Sequence, residues 1–183
     1  VIQLNKRNKK KELTPEQIEE NVIEWCTFFR RNLDAFNEDY LEIKISQFQK
    51  QRINSWDEND VQTTVASRGS GKTFDIALYA LHMAILYSNC NILITSMTLS
   101  QSNLIIEEKI DKIFTTRGGR WSSPVLCQLR EDGWIEFTKD PNTGARIVEF
   151  GNGSKIFAVN CGDSARGKRS NVVIVDEFVL IKK

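Results

Sequence analysis

The sequence predicts an α/β domain: a mostly parallel central sheet flanked by helices, with an antiparallel strand excursion before the last parallel strand. Three observations carry that expectation. A short β-branched run, Val61 to Val65, feeds a small-residue loop that opens into a helical pattern from Phe74 to Tyr87. Two compact apolar runs, Asn91 to Ser96 and Val172 to Val175, read as buried strands, with an amphipathic helix from about Leu99 to Phe114 following the first. The second run ends in Asp176-Glu177, which puts two carboxylates at a strand tip, where the ligands of open α/β sheets collect.

Length and composition suit one such domain. The 183 residues can bury a sizeable core but do not comfortably make two domains, and 40% apolar with 27% charged residues is ordinary for a globular chain. A net charge of +1 hides two basic patches, Lys6-Arg7-Asn8-Lys9-Lys10-Lys11 and Arg166 to Arg169. The total does not announce nucleic acid, although the patches permit it. The first patch reads first as a solvated, disordered tail over residues 1–13. Cysteines 26, 90, 127 and 161 lack metal-ligand spacing and read as reduced thiols. No apolar stretch approaches a membrane span of about 18 residues and no signal peptide is visible. Starting at Val and stopping soon after an apolar strand, the chain reads as a piece of a longer protein.

Along the chain, a helical segment is expected over residues 14–60 and the sheet domain over 61–183. Thr14-Pro15-Glu16-Gln17 is a helix start with a capping box, and Ile18, Val22, Trp25, Cys26 and Phe29 then recur at helical spacing. Short helices are expected over Leu33 to Tyr40 and Gln47 to Trp56. The helix after the loop carries Ile76, Leu78, Ala80, Leu81, Ala84 and Ile85, an apolar surface wide enough to be largely buried. His82, the one histidine, lies on that helix without a partner cluster and reads as a core residue. The stretches Trp134 to Phe137, Arg146 to Phe150 and Lys155 to Val159 are strand-like. Turn residues at Asp140 to Gly144 and Gly151 to Gly153 separate them, and at least the last two are expected to pair antiparallel.

The chemistry concentrates at two places. In the loop Ser67-Arg68-Gly69-Ser70-Gly71-Lys72-Thr73, backbone N–H groups can converge on phosphate oxygens while the following helix adds its positive end. Lys72 would reach the terminal phosphates and the Thr73 hydroxyl would hold Mg²⁺, as in a P-loop. The usual pattern has Gly six residues before the Lys, where this chain has Ala66. At the strand end, Asp176 would hold Mg²⁺ through water and Glu177 would polarise the attacking water as general base. Alone, Asp-Glu after four apolar residues reads as a solvated turn; about a hundred residues after a Gly-Lys-Thr loop it reads as the second half of an ATPase site. Arg68 and Arg166 are the cations nominated to stabilise charge on the transferred phosphoryl group; Arg166, on its loop, suits a finger into a neighbouring subunit's site or a phosphate-backbone contact ahead of a plain exposed cation. Gln49 carries the donor and acceptor that an adenine edge requires, as any surface glutamine does.

These pieces together resemble the large terminase subunits of tailed double-stranded DNA bacteriophages and prophages. The resemblance runs from about Asn32 onward, through Phe36 to Lys44, Phe48-Gln49-Lys50, Ala66 to Thr73, Asn152 to Ile156, Ala165-Arg166-Gly167 and Val172 to Phe178. Loops of the form Ser-Arg-x-x-Gly-Lys-Thr without the first Gly resemble the terminase variant, so Ala66 and Arg68 fit it. The resemblance implies a P-loop NTPase of the additional-strand, catalytic-glutamate type. It implies ATP hydrolysis with Mg²⁺ driving viral double-stranded DNA into a procapsid, in the cytoplasm of an infected bacterial host. It also implies partners: a portal protein, a small terminase subunit and further copies of the chain in a ring, commonly a pentamer, with no membrane involved. By that analogy Gln49 contacts adenine, Arg68 senses the γ-phosphate and Arg166 acts across the ring interface. The family's C-terminal nuclease has no counterpart in these residues. The rival readings are a helicase or another ring-forming P-loop ATPase, and a nucleotide-gated assembly module that binds ATP without turnover.

Overall fold

The structure is a computed structural model that describes residues 13–115, 121–161 and 169–177. Several of its helices begin where the sequence supplies side-chain caps. Thr14, Ser46 and Thr98 each close a capping box with the glutamine three residues on, starting α1 (Pro15–Arg31), α3 (Gln47–Asp57) and α5 (Leu99–Ile105). Between the first two, α2 (Leu33–Ala35) continues into a π-helical turn, Phe36–Tyr40. The central helix α4 (Lys72–Leu86) leads to β1 (Asn91–Ser96). Helix α5 widens into a second π-helical turn, Ile106–Ile110, and tightens again as α6 (Asp111–Ile113). Helix α7 (Pro124–Glu131) follows, capped by the Ser123 hydroxyl with Pro in its first turn. That Ser-Pro start lies in a stretch for which no helix was expected.

Strands β2 (Ile135–Lys139), β3 (Arg146–Phe150) and β4 (Lys155–Asn160) form an antiparallel meander. With β5 (Val172–Val175) they complete a five-stranded sheet in the order β2-β3-β4-β1-β5. Strand β1 pairs parallel to both β4 and β5. The expected α/β class therefore holds, and the expectation of a mostly parallel sheet is corrected. Turns as short as 140–145 and 151–154 can only reverse the chain, so β2 and β3 have antiparallel neighbours alone. The meander is also no excursion beside the sheet, because β4 joins it directly to β1.

Two strand expectations near the candidate site change as well. Val61 to Val65 is not a strand: the stretch is irregular, and Val61 and Val65 are 88% and 96% exposed. β-branched residues favour strands through cover by neighbours, and this run offers two valines among Gln62, Thr63 and Thr64 with nothing over them. Strand β5 is expected fully buried, yet Val173 is 56% and Val175 38% exposed. The reason is its position at the sheet edge, with β1 as its pairing partner among the described residues.

One core joins the helices to the sheet, from Phe36, Leu41, Ile43 and Ile53 through Leu78, Leu81 and Ile85 to Ile92, Ile94, Ile110, Ile113 and Ile156. Both ends of α4 are tied down. At its C-terminal end the Asn152 amide donates to the Ala84 carbonyl at 2.8 Å, and the Ser154 hydroxyl donates to Tyr87 O at 2.7 Å. Arg30 of α1 donates to Leu86 O and lies over the Tyr87 ring. These contacts satisfy carbonyls that the helix itself leaves unpaired. Gly153, with φ +83°, is required in the turn because a Cβ there would sit 2.3 Å from Asn89 Oδ1. Among the described residues, no helix is long and apolar enough to cross a membrane.

Candidate nucleotide site

Helix α4 starts differently from its neighbours. Its N-cap is Gly71, with φ +78° and no side chain to accept from the first-turn N–H groups, whereas α1, α3, α5 and α7 are all capped by hydroxyls. The Gly71 carbonyl accepts from Phe74 N and Asp75 N, both at 3.0 Å, so the N–H groups of Lys72 and Thr73 fall in the part of the first turn that a helix cannot pair internally. Two residues earlier Gly69 also takes a left-handed φ of +81°, and Ser70 N reaches Ser67 O at 3.4 Å to close the turn between them. Ser67 and Arg68 are exposed at the front of this turn. Small residues and two left-handed glycines thus fold Ala66 to Gly71 into a tight loop that delivers an uncapped, positively polarised helix start. The Ser70 hydroxyl is buried without a hydrogen-bond partner, a polar atom the loop has not satisfied itself.

Glycine is favoured at 71 for two reasons at once. A Cβ there would require a strained left-handed backbone and would approach Gln49 Nε2 to 3.2 Å, whereas a Cβ at Gly69 would meet nothing within 4 Å. Gly71→Ala is therefore expected to destabilise the fold by about 1–2 kcal/mol or more, and Gly69→Ala by the lesser, purely conformational part of that. Urea denaturation midpoints of the two variants check the ranking; equal midpoints would contradict the close approach of Gln49.

Beneath the loop lies a buried polar cluster. Gln49, at 8% exposure, uses both ends of its amide: Oε1 accepts from Ser46 N at 3.0 Å and Ser46 Oγ at 3.1 Å, and Nε2 donates to Asp75 Oδ1 at 2.5 Å. The other Asp75 oxygen accepts from Arg52 Nη1, and Arg52 lies over the Phe48 ring at 4.5 Å. Asp75 is fully buried, and burial pushes its carboxyl up to about 6 against the pull of Gln49 and Arg52. Gln49 was marked in the sequence as an adenine contact. In this arrangement Ser46 engages its acceptor oxygen and Asp75 takes one of the two Nε2 N–H groups.

The second group of candidate residues, Asp176 and Glu177, follows β5 beside the C-terminal end of β1. Asp176 N donates to Thr95 O at 2.9 Å, which extends the β1–β5 ladder by one bond, and Thr95 Oγ1 is buried without a partner. Glu177 is exposed and takes a left-handed φ of +55°, unusual for a residue with a Cβ. Its N–H is held by the Asp176 carboxylate at 3.1 Å. Its own carboxylate accepts from Gln101 Nε2 at 3.3 Å. Gln101 is set for that contact because its Oε1 accepts from Ser96 Oγ, Thr98 N and Thr98 Oγ1, all at 3.2 Å, leaving the amide nitrogen to face outward. Helix α4 packs on β1 and reaches it through a connection of only four residues, 87–90, so the chain reverses there. The reversal directs the Lys72 end of α4 toward the end of the sheet where β1 stops.

Arg166 to Lys168, residues 1–12 and Phe178 lie outside the described residues; Arg169, the last cation of the second basic patch, is exposed. His82 is a core residue: it is 1% exposed, and burial pulls it down to about 3, so the ring is neutral. The Asn37 amide fixes its tautomer. Asn37 Nδ2 donates to Leu33 O at 3.0 Å, so Asn37 Oδ1 must accept the proton of His82 Nε2 at 2.9 Å, and the unpartnered Nδ1 is a bare lone pair. A concavity lined by Ile106, Phe137 and Ile147 contains none of the candidate residues and is bordered by the Arg130–Asp111 and Arg146–Glu107 ion pairs.

Arg52, Asp75 and Gln101 were not singled out in the sequence, although each left a trace. Asp75 is one carboxylate in the apolar run Phe74 to Leu86, and a charge there demands a partner. Arg52 stands one helical turn after Gln49, and Thr98-x-x-Gln101 is a legible capping box. Compared with known proteins, the chain matches no family model and no curated protein.

Proposed function

We propose that the chain binds ATP at Ser67 to Thr73 and hydrolyses it, as the ATPase domain of a motor that translocates viral double-stranded DNA into a procapsid. The observation that carries the nucleotide part is the start of α4. A Gly-Lys-Thr sequence is folded with two left-handed glycines, an uncapped first turn and a buried, unsatisfied Ser70 hydroxyl. The residues present fit a nucleotide triphosphate with its metal. Lys72 supplies a point charge for the terminal phosphates, the N–H groups of the first turn supply donors, and Thr73 and Asp176 are the residues that would hold Mg²⁺. The metal, when bound, would neutralise charge on the phosphates; Glu177 accepts the proton of the attacking water. Arg68, exposed on the loop, is free to lie against a γ-phosphate.

The motor part of the reading rests on the resemblance of Ala66 to Thr73, Asn152 to Ile156 and Asp176-Glu177 to the large terminase subunits. The portal protein, the small subunit, the ring of identical copies and the host cytoplasm all belong to this proposal. For Gln49 to offer adenine its oxygen as well as an N–H, the Ser46 contacts would have to give way.

Lys72→Ala tests the core of the proposal. The variant is expected to lose Mg·ATP binding by at least about tenfold, since one charge-assisted contact is worth roughly 1.5–3 kcal/mol. Isothermal titration of wild type and variant checks it, and equal affinity would remove the loop as the phosphate site.

A further inference from the structure

We propose that Arg52 and Asp75 are positioning residues for the phosphate-binding loop, fixing it from beneath through α3; the proposal rests on the nucleotide reading above. Three contacts run from α3 to the loop and its helix. Arg52 Nη1 donates to Asp75 Oδ2, on the first turn of α4, and lies 3.5 Å from the carbonyl oxygen of Ser70 in the loop itself. Gln49 Nε2 donates to Asp75 Oδ1 and stands where a Cβ of residue 71 would come within 3.2 Å. Asp75 follows Lys72 by three residues and so lies one turn along the same side of the helix. One guanidinium and one carboxylate therefore bracket the segment 70–75, which includes Gly71, Lys72 and Thr73.

The chemistry of the pair points to placement and not merely to cohesion. Side chains of Arg52 and Asp75 are 5% and 0% exposed, and a buried ion pair is commonly no more stabilising than apolar residues of the same volume. What an apolar pair cannot do is hold a carbonyl and a carboxylate in fixed directions. A guanidinium can, because its planar fork donates along several fixed lines, and stacking on Phe48 fixes its plane. Holding the Ser70 carbonyl sets the rotation of the Ser70–Gly71 peptide, and hence where the N–H of Gly71 points. A loop kept in that rotation before the ligand arrives spends less of its binding energy on ordering. Arg52 still has Nη2 without a partner, so the clamp retains donor capacity at the junction.

The test compares wild type with Arg52→Lys, Asp75→Asn and the double variant Arg52→Met/Asp75→Asn, all in the full chain. The probes are Mg·ATP, Mg·GTP and inorganic tripolyphosphate, measured by titration well below each variant's melting midpoint, with far-UV circular dichroism to confirm folding. The double variant guards against misfolding, since it leaves no buried charge and keeps an acceptor for Gln49. Expected is a loss of about tenfold or more in affinity for Mg·ATP and for tripolyphosphate by the same factor, with an unchanged ATP-to-GTP ratio. A folded double variant that binds tripolyphosphate like wild type would overturn the proposal and leave the pair as core structure. Wild type that binds neither Mg·ATP nor tripolyphosphate would overturn the nucleotide reading itself, and this proposal with it.

Discussion

Glu177→Gln is expected to keep Mg·ATP affinity close to that of wild type while turnover falls by about 10²–10⁴-fold, the range that a positioned general base contributes. The substitution is nearly isosteric and leaves the surroundings intact. Gln101 can still donate to the side-chain oxygen, and the Asp176 carboxylate can still hold the backbone N–H of residue 177. What disappears is the capacity to take a proton. The left-handed φ of +55° gives a second reason to expect a functional carboxylate, because a strained backbone at a residue with a Cβ persists where its surroundings over-determine it. Steady-state ATPase rates with parallel binding titrations separate the two quantities. Wild-type turnover in the variant would remove Glu177 as the base. Loss of binding together with turnover would make its role structural.

The second large effect is on stability in acid. His82 is neutral and buried, with its proton affinity lowered from the ordinary 6.5 to about 3. Unfolded chain therefore binds a proton in that window that the native state refuses. The contribution of His82 is fully present above pH 6.5 and is lost as pH falls toward 3, by up to about 5 kcal/mol. Asp75 acts with the opposite sign. Its affinity is raised from 3.8 to about 6, so the native state binds the extra proton. Its contribution is fully present below about pH 4 and declines as pH rises through 6. The expected result is that His82→Gln is less stable than wild type at pH 7 but has a distinctly shallower decline between pH 6.5 and pH 4. Urea unfolding at both pH values checks it, and parallel pH profiles would show that the imidazole does not titrate differently on folding.

How far the sequence carried can be judged at particular residues. Helix starts were legible because capping is local chemistry: Thr14-Pro15 places α1, and the same kind of signal marks α3 and α5. The meander was legible from its turns, and Gly71-Lys72-Thr73 from its spacing. Val61 to Val65 misled because strand propensity describes a fit to covering neighbours, and whether those neighbours exist is a tertiary fact. The parallel character of the sheet failed for a related reason: local turns give the sense of β2, β3 and β4 among themselves, but not that β4 will lie beside β1. Gln49 shows a third limit. The sequence marks it for carrying a donor and an acceptor, as any surface glutamine does, and does not show that Ser46 draws its oxygen into a helix cap. Asp75 and Arg52 lie 23 residues apart, and only folding shows that each is the other's partner.

The sheet order has a consequence for how the chain assembles. Strands β2, β3 and β4 meet through turns of a few residues, so their pairing closes short loops and can begin locally. Strand β1 pairs with β4 across 64 residues, as in Asn91 with Lys155, and with β5 across 80, as in Ile92 with Val172. Loop-closure entropy and contact order both favour the meander as an early unit on which β1 docks with α4 behind it. Strand β5, which leads into Asp176 and Glu177, depends on the most distant of these pairings. Of the two groups of candidate residues, the Ser67 to Thr73 loop leads into a helix tied to the core at both ends, and the carboxylates belong to the sheet edge.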